Sequence, residues 1–212
     1  MNSLRSGMKE AASNLKKHIV VFVEGDTDKV FFDHLLQYYR QHSTTPIYSS
    51  EVRNLHGVTR YSNKVVGKLQ NEICPAAAKK GMVVKAVCCS YDTDVFEFSE
   101  RPVVDWDKVQ REVARIGIKE FYRIEVSQMI EDWILDDLSG LCSYLKLKSV
   151  PSSLSGTNAY AKLQNLFKRA NKLYLKGLSI ESFIANLDMG VIRAKRKDAL
   201  RDFETTLNVT LP

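Results

Sequence analysis

Short apolar runs alternate along the chain with longer segments whose apolar residues recur at helical spacing. The runs cover residues 19–23, 82–89 and 121–126, and a weaker one covers 50–55. Apolar runs of this length without alternation are typical of strands buried on both faces. Strands separated by helices of ten or more residues favour right-handed crossovers. The sequence therefore predicts an α/β fold with a mainly parallel sheet of about four strands flanked by helices.

Apolar residues spaced three or four apart predict the helices between these strands. We expect one helix over 29–42 and another over 61–74. Asp26 or Thr27 is expected to cap the first helix, and Asp26 is the preferred cap. Pro75 is expected to end the second helix, because proline lacks the amide hydrogen that a helix interior needs.

The composition of the chain changes after residue 148. Residues 151–157 are rich in serine, proline and glycine, which predicts a linker or an exposed loop. The remainder has helical periodicity and many lysines and arginines. We therefore predict two parts: an α/β domain over 1–148, and a basic helical extension over 149–212 that packs on or beside it.

The positive charge is concentrated in the second part. The chain has a net charge of +6, and from Pro151 onward it contains ten basic and five acidic residues. This arrangement suits an enzyme that acts on a polyanion, although solvated helix faces explain the same charges. The residues that we expect to contact nucleic acid are Lys168, Arg169, Lys172, Lys176, Arg193, Lys195 and Arg196.

Other features of the composition indicate the cellular compartment. Residues 1–17 are polar and lack the apolar core of a signal peptide, and no apolar run is long enough to cross a membrane. The four cysteines do not have the spacing of a zinc site, and Cys88 and Cys89 are expected to be buried thiols. We expect a cytoplasmic protein with no membrane association, and the sequence is compatible with an oligomer.

Two of the predicted strands end in acidic residues. Glu24 follows the first strand with Asp28 close behind, and Asp92 and Asp94 follow the third. The carboxyl ends of parallel strands lie at one edge of a sheet, where ligands bind in open α/β folds. Clustered carboxylates need protons or a cation to neutralise them, and Mg²⁺ or Mn²⁺ prefers oxygen ligands. Solvated turn acids are the alternative interpretation of each motif taken alone.

The two motifs together resemble those of TOPRIM domains, the metal-dependent fold of topoisomerases, primases and OLD-type nucleases. In that family an apolar strand ends in a catalytic Glu followed by Gly, and a later strand ends in Asp-x-Asp. Here these are Val23-Glu24-Gly25 and Asp92-Thr93-Asp94. The segment 23–32 is most similar to small TOPRIM-like proteins of bacterial defence loci, related to the OLD and RloB types. The resemblance covers residues 17–144.

The resemblance implies a metal-dependent phosphodiesterase or nuclease that acts on DNA or RNA in anti-phage defence. It implies that Glu24 is the acid/base or the first metal ligand, and that Asp92 and Asp94 hold the Mg²⁺ or Mn²⁺. Asp28 occupies the place of the family's acid after Thr, and Glu131 is our choice for a further acid. No tyrosine stands out as a topoisomerase nucleophile, and a zinc-binding segment is missing from the sequence, so a nuclease is favoured.

Two departures from the family pattern concern the loop after Asp94 and a basic residue. Many TOPRIM proteins have a glycine soon after Asp-x-Asp, whereas residues 95–98 here are Val-Phe-Glu-Phe. OLD-type nucleases also use a basic residue near the second metal, for which Lys64 and Lys68 are our candidates. The chain lacks a GxxxxGK[ST] loop, so an ABC-type ATPase would be a separate partner. The alternative function is a noncatalytic subunit that binds nucleic acid or an ATPase and holds a structural cation.

Overall fold

A computed structural model describes residues 15–94, 103–178 and 180–212 of the chain. Its strands are β1 (Lys16–Val23), β2 (Ser49–Asn54), β3 (Met82–Asp92) and β4 (Glu120–Val126). All pairings are parallel, and the order across the sheet is β2-β1-β3-β4. The predicted α/β fold with a parallel sheet of four strands flanked by helices is confirmed.

Ten α-helices connect or follow the strands in the described part of the chain. They are α1 (Asp26–His42), α2 (Tyr61–Lys68), α3 (Cys74–Lys79), α4 (Trp106–Arg115), α5 (Ile130–Ile134), α6 (Leu138–Tyr144), α7 (Ala159–Arg169), α8 (Glu181–Ile184), α9 (Met189–Lys195) and α10 (Lys197–Leu207). A π-helical turn at Leu69–Ile73 joins α2 to α3. None of these helices is both long and apolar enough to cross a membrane.

Strand β1 is buried on both faces, as its uninterrupted apolar sequence predicts. Ile19, Val21 and Val23 contribute to one core, whereas Val20 and Phe22 contribute to the other. Successive strand side chains point to opposite faces, so one short run supplies both layers. The core on the first face is covered by α1 and the C-terminal helices, and the core on the second face by α2, α3 and α4.

The order of the strands determines where the candidate site lies. The chain leaves β1 in one direction to form β2 and returns to place β3 on the other side of β1. Ligand crevices in open α/β sheets form where the strand order reverses in this way. The ends of β1 and β3 are therefore adjacent, and Glu24 and Asp92 stand at these two ends.

Two predictions about helix ends are wrong. The helix does not end before Pro75, because the π-helical turn leads into α3 and proline occupies the first turn of α3, where its missing amide hydrogen costs little. Asp26 is not a cap: Gly25 holds the N-cap position, and Asp26 Oδ1 accepts a hydrogen bond from Asn54 Nδ2 at 2.7 Å.

The C-terminal helices share the core of the sheet. Leu163 of α7 and Phe203 of α10 belong to the same buried cluster as Ile19 and Val21 of β1. The Phe203 and Phe32 rings pack edge to face with centroids 5.9 Å apart. The extension is therefore packed on the sheet, while the division into two domains stays a prediction.

Candidate acidic site

Glu24 and Asp92 meet at the carboxyl edge of the sheet. Glu24 follows β1 directly, and Asp92 is the last residue of β3. The amide nitrogen of Asp92 donates a hydrogen bond to Glu24 Oε1 at 3.0 Å. Asp92 is 6% exposed, and its Oδ1 accepts from the amide nitrogen of Ile130 at 3.1 Å. The edge therefore holds two acids, one of them nearly buried.

Asp28 and Glu131 add two further acids from helices. Asp28 lies in the first turn of α1 and Glu131 in the first turn of α5, and they are 1% and 0% exposed. Glu131 Oε1 accepts a hydrogen bond from the Tyr174 hydroxyl at 2.9 Å. Asp28 Oδ1 and Glu131 Oε2 have no hydrogen-bond partner within the described ranges. Buried carboxylate oxygens of this kind are costly unless a cation or proton satisfies them.

Lys176 brings a positive charge into this group of acids. Its Nζ lies 3.4 Å from Asp92 Oδ2 and 3.6 Å from Glu131 Oε2. We call Glu24, Asp28, Asp92, Glu131 and Lys176 together the acid cluster. Because the other four members come from the sheet half of the chain, the cluster joins both predicted parts.

A tight turn directs Lys176 toward the acids. The amide nitrogen of Leu178 donates to the Leu175 carbonyl at 3.1 Å, and Gly177 has a φ of +82°. That backbone conformation favours glycine, which has no Cβ to clash. The amide nitrogen of Gly177 donates to Thr27 Oγ1 at 3.2 Å, so the turn is anchored to the start of α1.

Burial and mutual repulsion raise the pKa values of Glu24, Asp28 and Asp92. Burial, followed by the charge of Asp92, raises the pKa of Glu24 from 4.5 to about 7. Burial raises the pKa of Asp28 to about 7, with Lys176 opposing the rise and Glu24 adding to it. Burial and the charge of Asp28 raise the pKa of Asp92 to about 8, which Lys176 also opposes. These carboxyl groups exchange protons near neutral pH.

The charge on Lys176 is stabilised by the same acids. Burial disfavours its ammonium form, but Glu131, Asp92 and Asp28 outweigh that effect and hold the pKa of Lys176 above its ordinary value. Lys176 therefore remains protonated under conditions in which Glu24, Asp28 and Asp92 titrate.

Asp94 stands at the margin of this group. It is half-buried, and its amide nitrogen donates to the Gln128 carbonyl at 3.1 Å. Its Oδ1 is buried and has no hydrogen-bond partner among the residues described. The following segment 95–98, in which the family pattern and this sequence differ, lies outside the described residues.

Several of the basic residues that the sequence predicts to contact nucleic acid form interactions within the protein. Arg193 forms two hydrogen bonds with Glu204, at 2.7 and 2.8 Å, and Arg196 pairs with Asp136. Lys195 donates to the Asp136 carbonyl at 2.6 Å. In the same region, Lys172 lies over the Tyr144 ring, and Lys168 and Arg169 line a cavity of about 460 Å³ with Lys162.

Sequence reasoning missed the surroundings of two residues. The sequence predicts that Lys176 contacts nucleic acid, whereas the structure places it among acids, and the nearby Tyr174 is 1% exposed and hydrogen-bonded to Glu131. The only local signal was the Lys-Gly pair of a tight turn, and such a pair does not indicate where the lysine points. Lys64 and Lys68, the candidates for a basic residue near a metal, line a cavity whose lining includes no member of the acid cluster.

The donor atoms fit a hard divalent cation in their chemistry. They are carboxylate oxygens, and Asp28 Oδ1, Asp94 Oδ1 and Glu131 Oε2 are buried with no hydrogen bond to any residue that the structure describes. Within residues 15–94, 103–178 and 180–212, no three acidic, histidine or cysteine side chains already form a metal-binding group.

Comparisons with protein-family models, with curated proteins and with solved structures found no match to this chain. The proposed function is therefore inferred from the residues of the acid cluster.

Proposed function

We propose that the protein is a Mg²⁺- or Mn²⁺-dependent nuclease that hydrolyses phosphodiester bonds of DNA or RNA. The observation that supports this proposal is the acid cluster at the switch point of a parallel sheet. Burial raises the pKa values of Glu24, Asp28 and Asp92 to about 7 or 8, and among the described residues Asp28 Oδ1 and Glu131 Oε2 find no hydrogen-bond partner. Perturbed carboxyl groups in such a position are typical of catalytic sites.

Glu24 is the acid/base in this mechanism. A carboxyl group with a pKa of about 7 is half ionised at neutral pH, so it can take a proton from an attacking water and later return it to a leaving oxygen. Its Oε1 is held by the amide nitrogen of Asp92, which leaves Oε2 to exchange the proton.

Asp92 and Asp94 would hold the divalent cation, with Asp28 and Glu131 available for a second ion. The cation would supply positive charge to the phosphate and an acidified water. The Lys176 ammonium lies against Asp92 and Glu131 and would stabilise negative charge on the phosphate as the bond breaks. It is thus our proposal for the basic residue of the site.

The wider proposal rests on the resemblance to TOPRIM domains. We infer a role in anti-phage defence, in the cytoplasm, with a separate ABC-type ATPase as a partner. Co-purification of the protein with such an ATPase, when both are expressed in the same cells, would support this part. Cleavage by the isolated protein tests the nuclease independently.

The deciding experiment is incubation of the purified protein with plasmid, single-stranded DNA and RNA in Mg²⁺, Mn²⁺ or EDTA. We expect cleavage with a metal ion and a loss of at least about 100-fold in Glu24→Gln and Asp92→Asn. Asp107→Asn, which removes an exposed acid from α4, is the matched control and should cut like the parent. Absence of cleavage with either metal, or full activity in both site variants, would refute the proposal.

One observation favours the noncatalytic alternative. Lys176 already neutralises part of the acid cluster, as a purely structural ion cluster would require. Lys176→Met separates the two functions. If Lys176 is structural, the variant should be less stable than the parent and should gain thermal stability from Mg²⁺. Neither the parent nor the variant should then cut nucleic acid. A catalytic role predicts that the parent cuts and that the variant binds Mg²⁺ but cuts more slowly.

A further inference from the structure

A second cavity, of about 430 Å³, is lined by side chains of the segment 55–72, which runs from the end of β2 into the π-helical turn. We call it the α2 groove, and its polar lining includes His56, Arg60, Asn63, Lys64, Lys68 and Asn71. No step of the proposed catalytic mechanism uses these residues.

The α2 groove carries an array of cations with little internal compensation. Arg60, Lys64 and Lys68 are spaced four residues apart, so they follow one face of the helical segment. Lys68 lies 3.6 Å from Glu72, whereas Arg60 and Lys64 form no ion pair with any residue that the structure describes. Like charges at this spacing repel one another unless an anion binds between them.

Backbone hydrogen bonds join the segment at the start of the groove to the end of β1, where Glu24 lies. After β2, the amide nitrogen of Leu55 donates to the Val23 carbonyl at 2.9 Å, and that of Gly57 donates to the Glu24 carbonyl at 2.8 Å. The amide nitrogen of Arg60 then donates to the Gly57 carbonyl at 3.1 Å. The backbone of Arg60, the first residue of the array, is therefore linked to the backbone of Glu24 through two hydrogen bonds.

Gly67 keeps part of the groove wall open. It lies in α2 and lines the cavity, and a Cβ built at this position meets no atom within 4 Å. Glycine inside a helix is unfavourable relative to alanine by about 1 kcal/mol. A side chain introduced at Gly67 would therefore have room to enter the groove.

We propose that the α2 groove binds the sugar-phosphate backbone of the nucleic acid strand whose phosphodiester bond lies at the acid cluster. This inference rests on the proposed nuclease function and names the surface over which the strand runs. Arg60 and Lys64 contact successive phosphates, while His56, Asn63 and Asn71 supply neutral hydrogen-bonding groups. Such contacts position a strand without reading its sequence. The C-terminal Arg193 and Arg196 serve this purpose less well, because Glu204 and Asp136 neutralise them.

Fluorescence anisotropy with labelled single-stranded DNA and RNA tests the groove in EDTA, where binding is measured without cleavage. We expect the double variant Arg60→Ala, Lys64→Ala to bind at least about tenfold more weakly than the parent at 0.1 M salt. The slope of the logarithm of its binding constant against the logarithm of the salt concentration should be smaller in magnitude by about 1.4, because two phosphate contacts to a single strand are lost. The matched control removes two exposed lysines at the end of α3, Lys79→Ala and Lys80→Ala, and should bind within twofold of the parent.

A second pair of variants changes the groove without removing a cation. Gly67→Glu places a carboxylate in the open space and should weaken binding by a similar factor, whereas Gly67→Ala should bind like the parent. Circular dichroism verifies that each variant is folded. Equal loss of binding in Gly67→Ala and Gly67→Glu would contradict a charge effect.

The outcomes separate the groove from the nuclease proposal. If the double variant binds as tightly as the parent, or the parent binds neither DNA nor RNA, the groove inference is wrong. If binding depends on the groove but the parent cuts nothing with Mg²⁺ or Mn²⁺, only the nuclease proposal is wrong. If the parent cuts while Lys79→Ala with Lys80→Ala weakens binding as much as the groove variant, only the groove is wrong.

Discussion

Asp28 is a carboxyl group that the fold buries almost completely, at 1% exposure, beside two other acids. Lys176 compensates part of its charge, but burial still raises the pKa of Asp28 to about 7. An ionised Asp28 lowers the stability of the fold. Such a residue is typical of a functional site, where a ligand or substrate interacts with the charge.

The stability of the protein should therefore depend on pH through Asp28. Between the ordinary pKa of 3.8 and about 7, the folded protein binds more protons than the unfolded chain, so this side chain stabilises the fold less as pH rises. Asparagine cannot ionise. We expect Asp28→Asn to raise the free energy of unfolding at pH 8 by at least about 1 kcal/mol, since one pKa unit corresponds to about 1.4 kcal/mol.

Urea unfolding in EDTA at pH 5 and pH 8 measures this effect, and the gain should be smaller at pH 5. Asp33→Asn on the same helix is the control, because Asp33 is half-exposed and pairs with Lys29. A gain in Asp28→Asn that is the same at both pH values would contradict the assigned cause.

Among the elements, the turn at residues 175–178 controls the charge balance of the acid cluster. It holds Lys176 against Asp92 and Glu131 and is anchored by the bond from Gly177 to Thr27. A turn of this size is set by its glycine, whose φ of +82° other residues rarely adopt.

Replacing Gly177 by alanine should displace Lys176. We expect Gly177→Ala to destabilise the protein by about 1–2 kcal/mol, the cost of a left-handed conformation for a residue with a Cβ. Gly117→Ala is the matched control, because Gly117 also has a positive φ, +93°, with open space around it, and lies after α4. Both variants should lose similar stability.

Only Gly177→Ala should release the Lys176 ammonium, whose side chain is 45% exposed, from Asp92 and Glu131. Acylation by an amine-selective reagent, followed by mass spectrometry, should modify Lys176 faster in Gly177→Ala than in the parent or in Gly117→Ala. Modification of the exposed Lys172 should be alike in all three proteins and serves as an internal reference. Equal rates at Lys176 would mean that the glycine does not hold the turn.

For the whole molecule, the main consequence of the fold is that the two predicted parts share one core. Phe203 of α10 packs against Phe32 and Tyr39 of α1, and the Tyr39 hydroxyl donates to Glu204 at 2.8 Å. Since α1 also carries Asp28, packing of the C-terminal helices against α1 stabilises the position of this member of the acid cluster.

Truncating Phe203 should weaken the entire protein. We expect Phe203→Ala to lower the free energy of unfolding by about 3–5 kcal/mol, the usual cost of removing a buried aromatic side chain. In a Trp106→Phe background, fluorescence of Trp133 reports on the core beside Phe32. In Phe203→Ala, the unfolding midpoint measured by Trp133 fluorescence should shift by the same amount as the midpoint measured by circular dichroism.

Val150→Ala, at a half-exposed position, should change stability by less than about 0.5 kcal/mol. A Trp133 midpoint that does not move in Phe203→Ala would indicate that residues 1–148 fold independently. That result would favour the two-domain division.

The strands and their order of appearance could be predicted from the sequence, because burial on both faces leaves a local mark in runs such as 19–23. The helix at 61–74 was predicted in place but not in extent. A proline that usually ends a helix is tolerated at Pro75, since the π-helical turn before it starts a new first turn. Local rules of this kind fail where neighbouring turns change the hydrogen-bonding pattern.

The acids of the candidate site were recognisable because two of them directly follow strands. Glu24 and Asp92 needed only the rule that parallel strands share a carboxyl edge. Lys176 was not recognisable, because its contact with Asp92 joins residues 84 positions apart. No periodicity or spacing in the chain connects them.

By itself, then, the sequence determined the α/β alternation, the buried strands and the strand-end acids, because hydrophobic burial and backbone geometry act over neighbouring residues. The tertiary structure alone decided which charges meet. It placed Lys176 among the acids, paired Arg193 and Arg196 internally, and left Arg60 and Lys64 without acidic partners in the described chain. Electrostatic interactions depend on distance in space, and only the packing of the helices on the sheet sets those distances.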